Sequence, residues 1–514
     1  MVLRVTQQML YGNVISQNNA ALSKLMETNN QASTQKRINA PSDDPNGAVQ
    51  VLSTRTDLSQ LTQYQSNMTT ATGWLNQADD TLSSVSTLIT SIKELAEEAA
   101  TGTVTAENRE EIANQVRQYY QQLISQANTT YGDSALFAGQ KTDSDAYAAC
   151  LWMNSNDTAF DAAVTASGGF TIAGDSDSTV LVQFMENGSG TNQPAFSYST
   201  DGGDTWTTGS YATAATDTVQ TLQLGSGVTM NVTSSALNAV TGCASHDDSS
   251  GTWMWIRPGA VYQGNTNDDV TVVPVGASGV TASAAGTFGA NVMVRLDSAC
   301  DLTTDGSTCS YSYSADGGTT WVSGNTSGAV SGGKATLSVP GGLLTLDDAG
   351  AGSIAPGSQF FIQPSTADIS IGISPTESVV VNGVGTEIFG GIDDNQAVAV
   401  GGSNAGNLME TVGKLIGFLE TDNQSGIQNC LDDLTASQNQ VLKAAATVGA
   451  RENRVTTTGT MVTTLKENAT TTLSAVEDAD LTSLITTLSE QELAYQAVLK
   501  SSSMVMNLSL VSYI

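Results

Sequence analysis

Two short stretches of this 514-residue chain carry the same chemically capable side chains at the same spacing: Ser199, Asp201, Thr205 and Trp206, then Ser314, Asp316, Thr320 and Trp321. Both read Ser-x-Asp-Gly-Gly-x-Thr-Trp. An aspartate followed by two glycines and flanked by hydroxyls is turn chemistry. The rival chemistry is glycoside cleavage, which uses two carboxylates across a sugar. No such pair with an arginine cluster accompanies the motifs, because residues 151–400 hold only Arg257, Arg295 and Lys334 as bases. Asp201, Trp206, Asp316 and Trp321 are therefore read as structural turn residues.

The other chemical candidates are weaker. Gly328-Ala-Val-Ser-Gly-Gly-Lys334 has the outline of a phosphate loop, but Ala335 stands where a magnesium-binding hydroxyl belongs, so the stretch reads as a glycine-rich turn. The acidic stretches Asp175-Ser-Asp177 and Asn267-Asp-Asp269 lack the twelve-residue spacing and closing glutamate of a calcium loop and read as solvated turns, with weak calcium binding left open. Five cysteines, at 150, 243, 300, 309 and 430, lack the short paired spacing of zinc sites. Cys300 and Cys309 bracket a Gly/Asp/Thr loop, leaving a disulfide and two free thiols as alternatives. The single His246 sits in a polar Ser/Asp run and reads as a loop residue. No catalytic, cofactor-binding or metal-ligating residue is expected, and no enzyme.

Charge narrows the partners. Fifty acidic residues against 18 basic ones give −32, which repels nucleic-acid phosphates and anionic lipid. No apolar run is long enough to span a bilayer, and the polar stretch Met1 to Leu10 does not read as a secretory signal. The expectation is a cytosolic protein or one exported without cleavage.

The elements that must position any site come next. From Leu61 and Tyr64 to Ala96 and Ala99 an apolar pair recurs every seven residues through Met68/Ala71, Leu75/Ala78, Leu82/Val85 and Ile89/Ile92. Six heptads predict a helix of about 58 Å whose narrow seam other helices cover. A first helical segment runs to about Arg37, and a third from about Ala106 carries Ala113, Val116, Tyr120, Leu123 and Ala127 on one stripe. Between the first two lies Ile38-Asn-Ala-Pro41-Ser-Asp43-Asp44-Pro45. Here Pro41 forces an extended residue before it, and Asp44 caps a helix whose first residue is Pro45. The far end mirrors this. It carries a short helix with Leu408, Val412, Leu415 and Leu419, then a long pattern from Ile427 to Val462. Last comes a helix with Leu481, Ile485, Leu488, Tyr495, Leu499 and Met506. Each end supplies a seam, and the other end is its simplest partner.

From about 141 to 400 the sequence turns Gly/Ser/Thr/Asp-rich, with seven of the nine prolines and short alternating runs such as Val180-Leu-Val-Gln-Phe184, the pattern of strands and turns. Residues 151–400 carry 23 acids against three bases, so the insert is solvated and self-repelling. It also repeats. Phe196 to Trp206 matches Tyr311 to Trp321, Thr221 to Gly227 resembles Thr336 to Gly342, and Gly251 to Pro258 resembles Gly357 to Pro364. Three matches in order imply two related β modules, about 165–262 and 280–368.

The ends resemble the flagellin superfamily and, within it, the hook-filament junction proteins. The resemblance rests on Leu3-Arg-Val-Thr-Gln-Gln-Met9, on Gln35-Lys-Arg-Ile-Asn-Ala-Pro-Ser-Asp-Asp-Pro-Asn-Gly-Ala48 and on Ala135-Leu-Phe-Ala-Gly-Gln-Lys141. It continues through Ser378 to Gly390, Gly449-Ala-Arg-Glu-Asn-Arg454, Val476-Glu-Asp-Ala-Asp480 and the ending Leu508 to Ile514. It covers roughly 1–145 and 370–514. Filament flagellin usually lacks the two prolines of the 41–45 turn. The insert departs from the family in seeming length. Its two Trp-containing turns resemble the Asp-box hairpin of sialidases and other β proteins, which implies that Asp and Ser/Thr bond the turn backbone while Trp packs beneath it, a structural role.

The fold class expected is α+β multidomain: a long helical coiled-coil or rod bundle from both chain ends with inserted outer β-rich domains. The domains expected are 1–45 with 470–514 as a terminal assembly layer and 46–140 with 369–469 as a helical rod with a returning hairpin. Residues 141–275 and 276–368 are then the two outer modules. The resemblance implies a structural subunit joining hook to filament, self-associating into a ring or tube segment. Its implied neighbours are another hook-associated protein and flagellin, with a flagellar export chaperone handling the unfolded chain, no nucleic acid and no membrane insertion. It implies extracellular placement on the flagellum without a cleaved signal. Terminal helices 1–36 and 470–514 are too thinly apolar to be stable alone and are expected to order on assembly. The residues expected at the assembly interface are Arg37, Asn39, Pro41, Asp43, Asp44, Pro45, Leu481, Leu488, Tyr495, Leu499 and Leu510. A plain helix-to-helix connector is the other reading of 37–45. The alternative functions are a filament subunit, or a flagellar scaffold whose β insert binds glycans.

Overall fold

The 41–45 turn folds as its residue types require. Asp44 Oδ1 accepts the Gly47 amide at 2.9 Å and the Asp44 carbonyl accepts the Ala48 amide at 2.8 Å. The helix therefore begins at Pro45, a position where no N–H is needed. In the computed structural model, the described residues are 7–511 except 191–192, 226, 247, 249, 267–269, 277–278, 287, 289, 349–351, 365–366, 394–395 and 401–403. The Asn267-Asp-Asp269 stretch thus lies outside them. Helices α1 (Gln7–Thr34), α2 (Pro45–Ala99) and α3 (Ala106–Ala127) precede most of the strands. Helices α4 (Thr158–Ala166), α5 (Ser234–Leu237) and α6 (Gly385–Ile388) lie among them, and α7 (Leu408–Glu420), α8 (Gln424–Glu477) and α9 (Leu481–Val511) follow. The chain forms two compact units: residues 1–70, 371–379 and 453–514 make the first, and 71–370 with 380–452 the second.

In the second unit the heptad seam is buried without a break from Ala71 to Ala99, but the covered face is wider than a two-residue seam. Thr81 and Leu88, each one residue before a seam position, are buried as well. Three covered residues per heptad is the face of a helix in a bundle core rather than of a two-stranded coil. Helix α7 shows the same enclosure: besides the expected Leu408, Val412, Leu415 and Leu419, Met409 and Ile416 are buried, because α7 packs on α3 and on a sheet at once.

That sheet belongs to the insert, which follows a small hairpin of β1 (Thr130–Tyr131) and β2 (Ser134–Ala135). The first module comprises β3 (Tyr147–Ser155), β4 (Thr171–Ala173), β5 (Val180–Phe184), β6 (Phe196–Ser199), β7 (Thr207–Thr208), β8 (Ser210–Tyr211), β9 (Val219–Gln223), β10 (Thr229–Thr233) and β11 (Trp253–Tyr262). In one sheet β11 lies between β3 and β5, with β6 and β7 beyond; the other sheet runs β4-β10-β9-β8. The second module comprises β12 (Val270–Val275), β13 (Val280–Gly286), β14 (Val292–Leu296), β15 (Cys300–Asp301), β16 (Ser310–Ser314), β17 (Val322–Thr326), β18 (Lys334–Val339), β19 (Gly342–Asp348), β20 (Ser353–Ile354) and β21 (Gln359–Pro364).

Its sheets run β12-β21-β14-β16-β17 and β13-β19-β18; the first repeats the order β3-β11-β5-β6-β7 strand for strand, and the second repeats β4-β10-β9 without a counterpart of β8. The matched sequence stretches fall on corresponding strands: β6–β7 with β16–β17, β9 with β18, and β11 with β21. Alternation places the cores. Along β18, Ala335, Leu337 and Val339 are buried and Lys334, Thr336 and Ser338 exposed. Strand β12, which a boundary at 275/276 assigns to the first module, pairs with β21 along its whole length and belongs to the second. Cys300 and Cys309, both fully buried, form a disulfide, resolving the alternatives left open by their spacing. After the modules come β22 (Ser370–Gly372) and β23 (Ser378–Val380), a hairpin, and β24 (Ile392–Asp393) with β25 (Gln396–Ala397), which extend the first module's sheet beside β11.

Three arginine–acid pairs lock α3 and the first module to α7 and its following turn. Arg257 on β11 is 1% exposed and meets Glu410 at 2.6 Å, while its other nitrogens donate to Asn154 Oδ1 and the Pro258 carbonyl. Arg117 pairs with Glu420, whose second oxygen accepts the Thr179 amide, and Arg109 pairs with Asp422. A side chain at Gly413 would strike the Pro258 carbonyl and the Arg257 guanidinium, so only glycine permits α7 to approach β11 this closely. Burial alone would raise the Glu410 carboxyl, yet Arg257 and Lys414 hold it below the usual range. Replacing Arg257 by Met leaves Glu410 buried without its main partner and should lower the free energy of unfolding in urea by about 3–5 kcal/mol. The double replacement Arg257→Met/Glu410→Leu should recover most of that loss.

Candidate assembly interface

The expected interface residues separate into a turn and a helix face, both in the first unit. In the turn, residues 35–37 run against 477–479: the Arg37 amide donates to the Glu477 carbonyl at 2.7 Å and the Ala479 amide to the Gln35 carbonyl at 3.1 Å. The Arg37 guanidinium donates to the Val476 carbonyl at 2.8 Å, satisfying an end-of-helix acceptor of α8, and reaches Asp44 at 3.4 Å. Asn39 and Ala40 donate their amides to one Asp43 oxygen, and these bonds hold the Asp43 carboxyl below its usual range. Beneath the turn Ile38, Ala48 and Val51 pack with Leu473 and Val476. Pro41 and Pro45 are exposed. The turn thus joins the two chain ends within one molecule.

The group that organises this turn was absent from the expected set. Glu477 is 3% exposed and receives Lys36 at 2.5 Å and the Arg55 guanidinium. Burial pushes its carboxyl up, but hydrogen bonds and charge from these two cations prevail and lower it. Its place in Val476-Glu-Asp-Ala-Asp480 was visible in the sequence. Its pairing was not, because Lys36 and Arg55 lie more than 400 residues away and α8 runs unbroken through the expected boundary at 470.

The helix face behaves differently. α1 packs on α9, with Thr28 Oγ1 donating to Gln491 at 2.7 Å, yet this pairing buries little. Among the described side chains of α9, Leu484 is the one that is buried; Leu481 and Leu499 stay 46% and 42% exposed, and Leu488 and Tyr495 are half-buried. The side chain of Leu510 lies outside the described residues. On the same pair of helices Met9, Ile15, Met26, Ile485, Leu493 and Met504 are each more than half exposed. The expected stripe on α9 is thus mostly uncovered in the single chain, because one helix partner covers only one side of it.

In the modules the two Asp turns are superposable in their bonding. Asp201 accepts the Thr205 amide and the Ser199 hydroxyl at 2.9 and 2.7 Å; Asp316 accepts the Thr320 amide and the Ser314 hydroxyl at 2.8 and 2.7 Å. Against a raising effect of burial, the hydroxyl and amide bonds bring Asp201 down to about 2, and the Thr320 hydroxyl leads the bonds that bring Asp316 to about 2. Both carboxylates are spent on their own turns. The indoles differ: Trp206 stacks on His246 at 4.4 Å, while Arg295 lies 4.6 Å over Trp321. His246 is therefore more than a loop residue, hydrogen-bonded through Nδ1 to Gln183 at 2.7 Å. Lys334 of the glycine-rich turn pairs with Asp347 at 2.9 Å. Among the described residues no group of three or more His, Cys, Asp or Glu is placed to hold a metal, and no helix is long and apolar enough to cross a membrane.

Comparison with known proteins bears on the N-terminal part. Residues 5–142 match the bacterial flagellin N-terminal helical region. Flagellar hook-associated protein 3 of Salmonella typhimurium and that of Escherichia coli are each 32% identical to this chain over 142 residues, 27% of this chain and 45% of the relative. The match thus spans under half the length of these curated relatives. Among solved structures, FlgL of Xanthomonas campestris aligns at 14% identity and a TM-score of 0.30, covering 81% of this chain and 98% of its own. A putative flagellar hook-associated protein of Vibrio parahaemolyticus aligns at 13% and 0.39, covering 85% and 100%. Over residues 5–142, then, this chain is similar to the N-terminal helical region of bacterial flagellins and to part of hook-associated protein 3.

Proposed function

We propose that this protein is a structural subunit of the bacterial flagellum that joins hook to filament, several copies forming a ring or tube segment. The observation that supports it most is the uncovered apolar surface of α1 and α9, a pair of helices fastened at one end by Glu477 and left with exposed Met, Ile and Leu along both partners. Such a face gains stability by packing against further helices, as copies of the same pair supply in an assembly. The curated relatives are both named flagellar hook-associated protein 3; in this reading the face meets a second hook-associated protein on one side and flagellin on the other. In this reading Leu481, Leu488, Tyr495, Leu499 and Leu510 contact other subunits. Arg37, Asn39, Pro41, Asp43, Asp44 and Pro45 fix the angle at which α1 is presented to them. The work is structural and extracellular, with export through the flagellar path and a chaperone guarding the apolar termini.

Deleting the gene should leave complete hooks without filaments by electron microscopy, with flagellin shed into the medium by immunoblot. Loss of filaments with no other flagellin in cells or medium would identify a filament subunit instead, and normal filaments would overturn the reading. A protein lacking residues 1–36 should remain a soluble folded monomer that cannot enter the junction.

The fastening itself is pH-dependent. Glu477 has a lowered folded value, so its contribution is complete above its ordinary value of 4.5 and fades as pH falls through the depressed folded one. Both cations are about half exposed, so about 1 kcal/mol or less is at stake. In Glu477→Gln, hydrogen exchange of α1 should be faster at pH 7 and should lose this acid sensitivity.

A further inference from the structure

On β11, Trp253, Trp255 and Arg257 point to one face of the sheet, while Met254 and Ile256 point to the other and are wholly buried in the module core. Helix α7 covers the Arg257 end of the outer face through the Glu410 pair. Trp253 and Trp255 remain half-buried and line a cleft of about 730 Å³ with Trp206 and His246. The turn between α7 and α8, residues 421–425, forms the other wall.

Two of the rings, Trp253 and Trp206, are fixed by a hydrogen bond and by ring contacts. Trp253 Nε1 donates to the Asp248 carbonyl at 3.0 Å, Trp206 stands edge-on to Trp253 at 5.7 Å, and His246 backs Trp206 at an interplanar angle of 8°. Fixed indoles facing a wall of carboxylate, amide and hydroxyl groups match a molecule with flat C–H faces and hydroxyl edges. Asp204 and Asp422 are the charged residues lining the cleft and no Lys or Arg lines it, which disfavours carboxylated or sulfated ligands. The second module has no equivalent: Gln359 and Phe361 occupy the positions of Trp253 and Trp255, and Arg295 sits on the face of Trp321.

We infer that this cleft of the first module, completed by residues 421–425, is a binding site for a neutral saccharide. The site is separate from the assembly face on α1 and α9 and does not depend on the junction role.

The test uses the full-length protein on an array of chito-, cello-, malto- and galacto-oligosaccharides, sialylated and sulfated oligosaccharides, and a proline-rich peptide, followed by calorimetry with the strongest ligand. Binding to a neutral oligosaccharide is expected, weakened at least about tenfold by Trp255→Ala, largely retained by Trp255→Phe and unchanged by Trp321→Ala. If Trp255→Ala lowers the melting temperature, Asp204→Ala, at an exposed position, takes its place and should also weaken binding. No neutral saccharide bound, binding of acidic saccharides or the peptide alone, or affinity indifferent to both Trp255 and Asp204, overturns the inference.

Discussion

A carboxylate that is nearly out of water must be matched by positive charge or abandoned, and Glu477 is matched twice, from Lys36 and Arg55. That requirement places three distant stretches of chain at one point. It ends α8 where it does, brings 477–479 alongside 35–37, and so fixes where α1 and α9 begin their course together. The Pro41–Pro45 turn then has its own geometry set by Asp43 and Asp44, so the direction of α1 leaves little freedom. Gly47 belongs to the same constraint, since a side chain there would collide with Asp44 and Ile38. The apolar faces of the two terminal helices are consequences of that fastening: held in register at one end, they cannot turn to hide their exposed residues against each other.

Periodicity carried most of the fold into view. Apolar pairs seven apart gave the α2 face from Met68 onward, because a helix repeats its own face at that spacing whatever covers it. What a seven-residue pattern does not encode is how many neighbours a helix has, and Thr81 and Leu88 are buried by neighbours whose own sequences lie far away. The Asp44–Pro45 start was legible for the opposite reason, being settled by bonds within four residues. The Glu477 fastening and the Arg257–Glu410 pair were not, since nothing local distinguishes a carboxylate that will be buried from one that will stay in water. On α9 the stripe was legible as apolar and was assigned to an assembly interface; within the single chain α1 leaves Leu481 and Leu499 largely exposed.

The two β modules show how one topology tolerates different surfaces. The Asp turns share the carboxylate and serine bonds that shape them, whereas the indole of each turn faces histidine in one module and arginine in the other. The strand corresponding to Trp253 and Trp255 carries glutamine and phenylalanine. Residues bonded within the turn hold the fold, and residues on the outer sheet face are free to vary because nothing in the module core touches them. The Trp-Met-Trp-Ile-Arg run was readable as a strand. That its outer face is half covered depends on α7, which arrives from the far end of the chain.

In each module the first strand pairs with the last. Tyr147, at the entry of the first, lies opposite Tyr262 at its exit, and Val270 lies opposite Pro364 in the second. Chain entering such a module leaves it a few ångströms away, and for the second module, which among the described residues makes no buried ion pair with α7, the flanking segments are joined equally well without it. A unit with adjacent ends can be copied, lost or exchanged as a cassette while the helices that carry it keep their register. The length of the insert is therefore decoupled from the architecture of the ends, and this protein can change what it displays without changing how it is built.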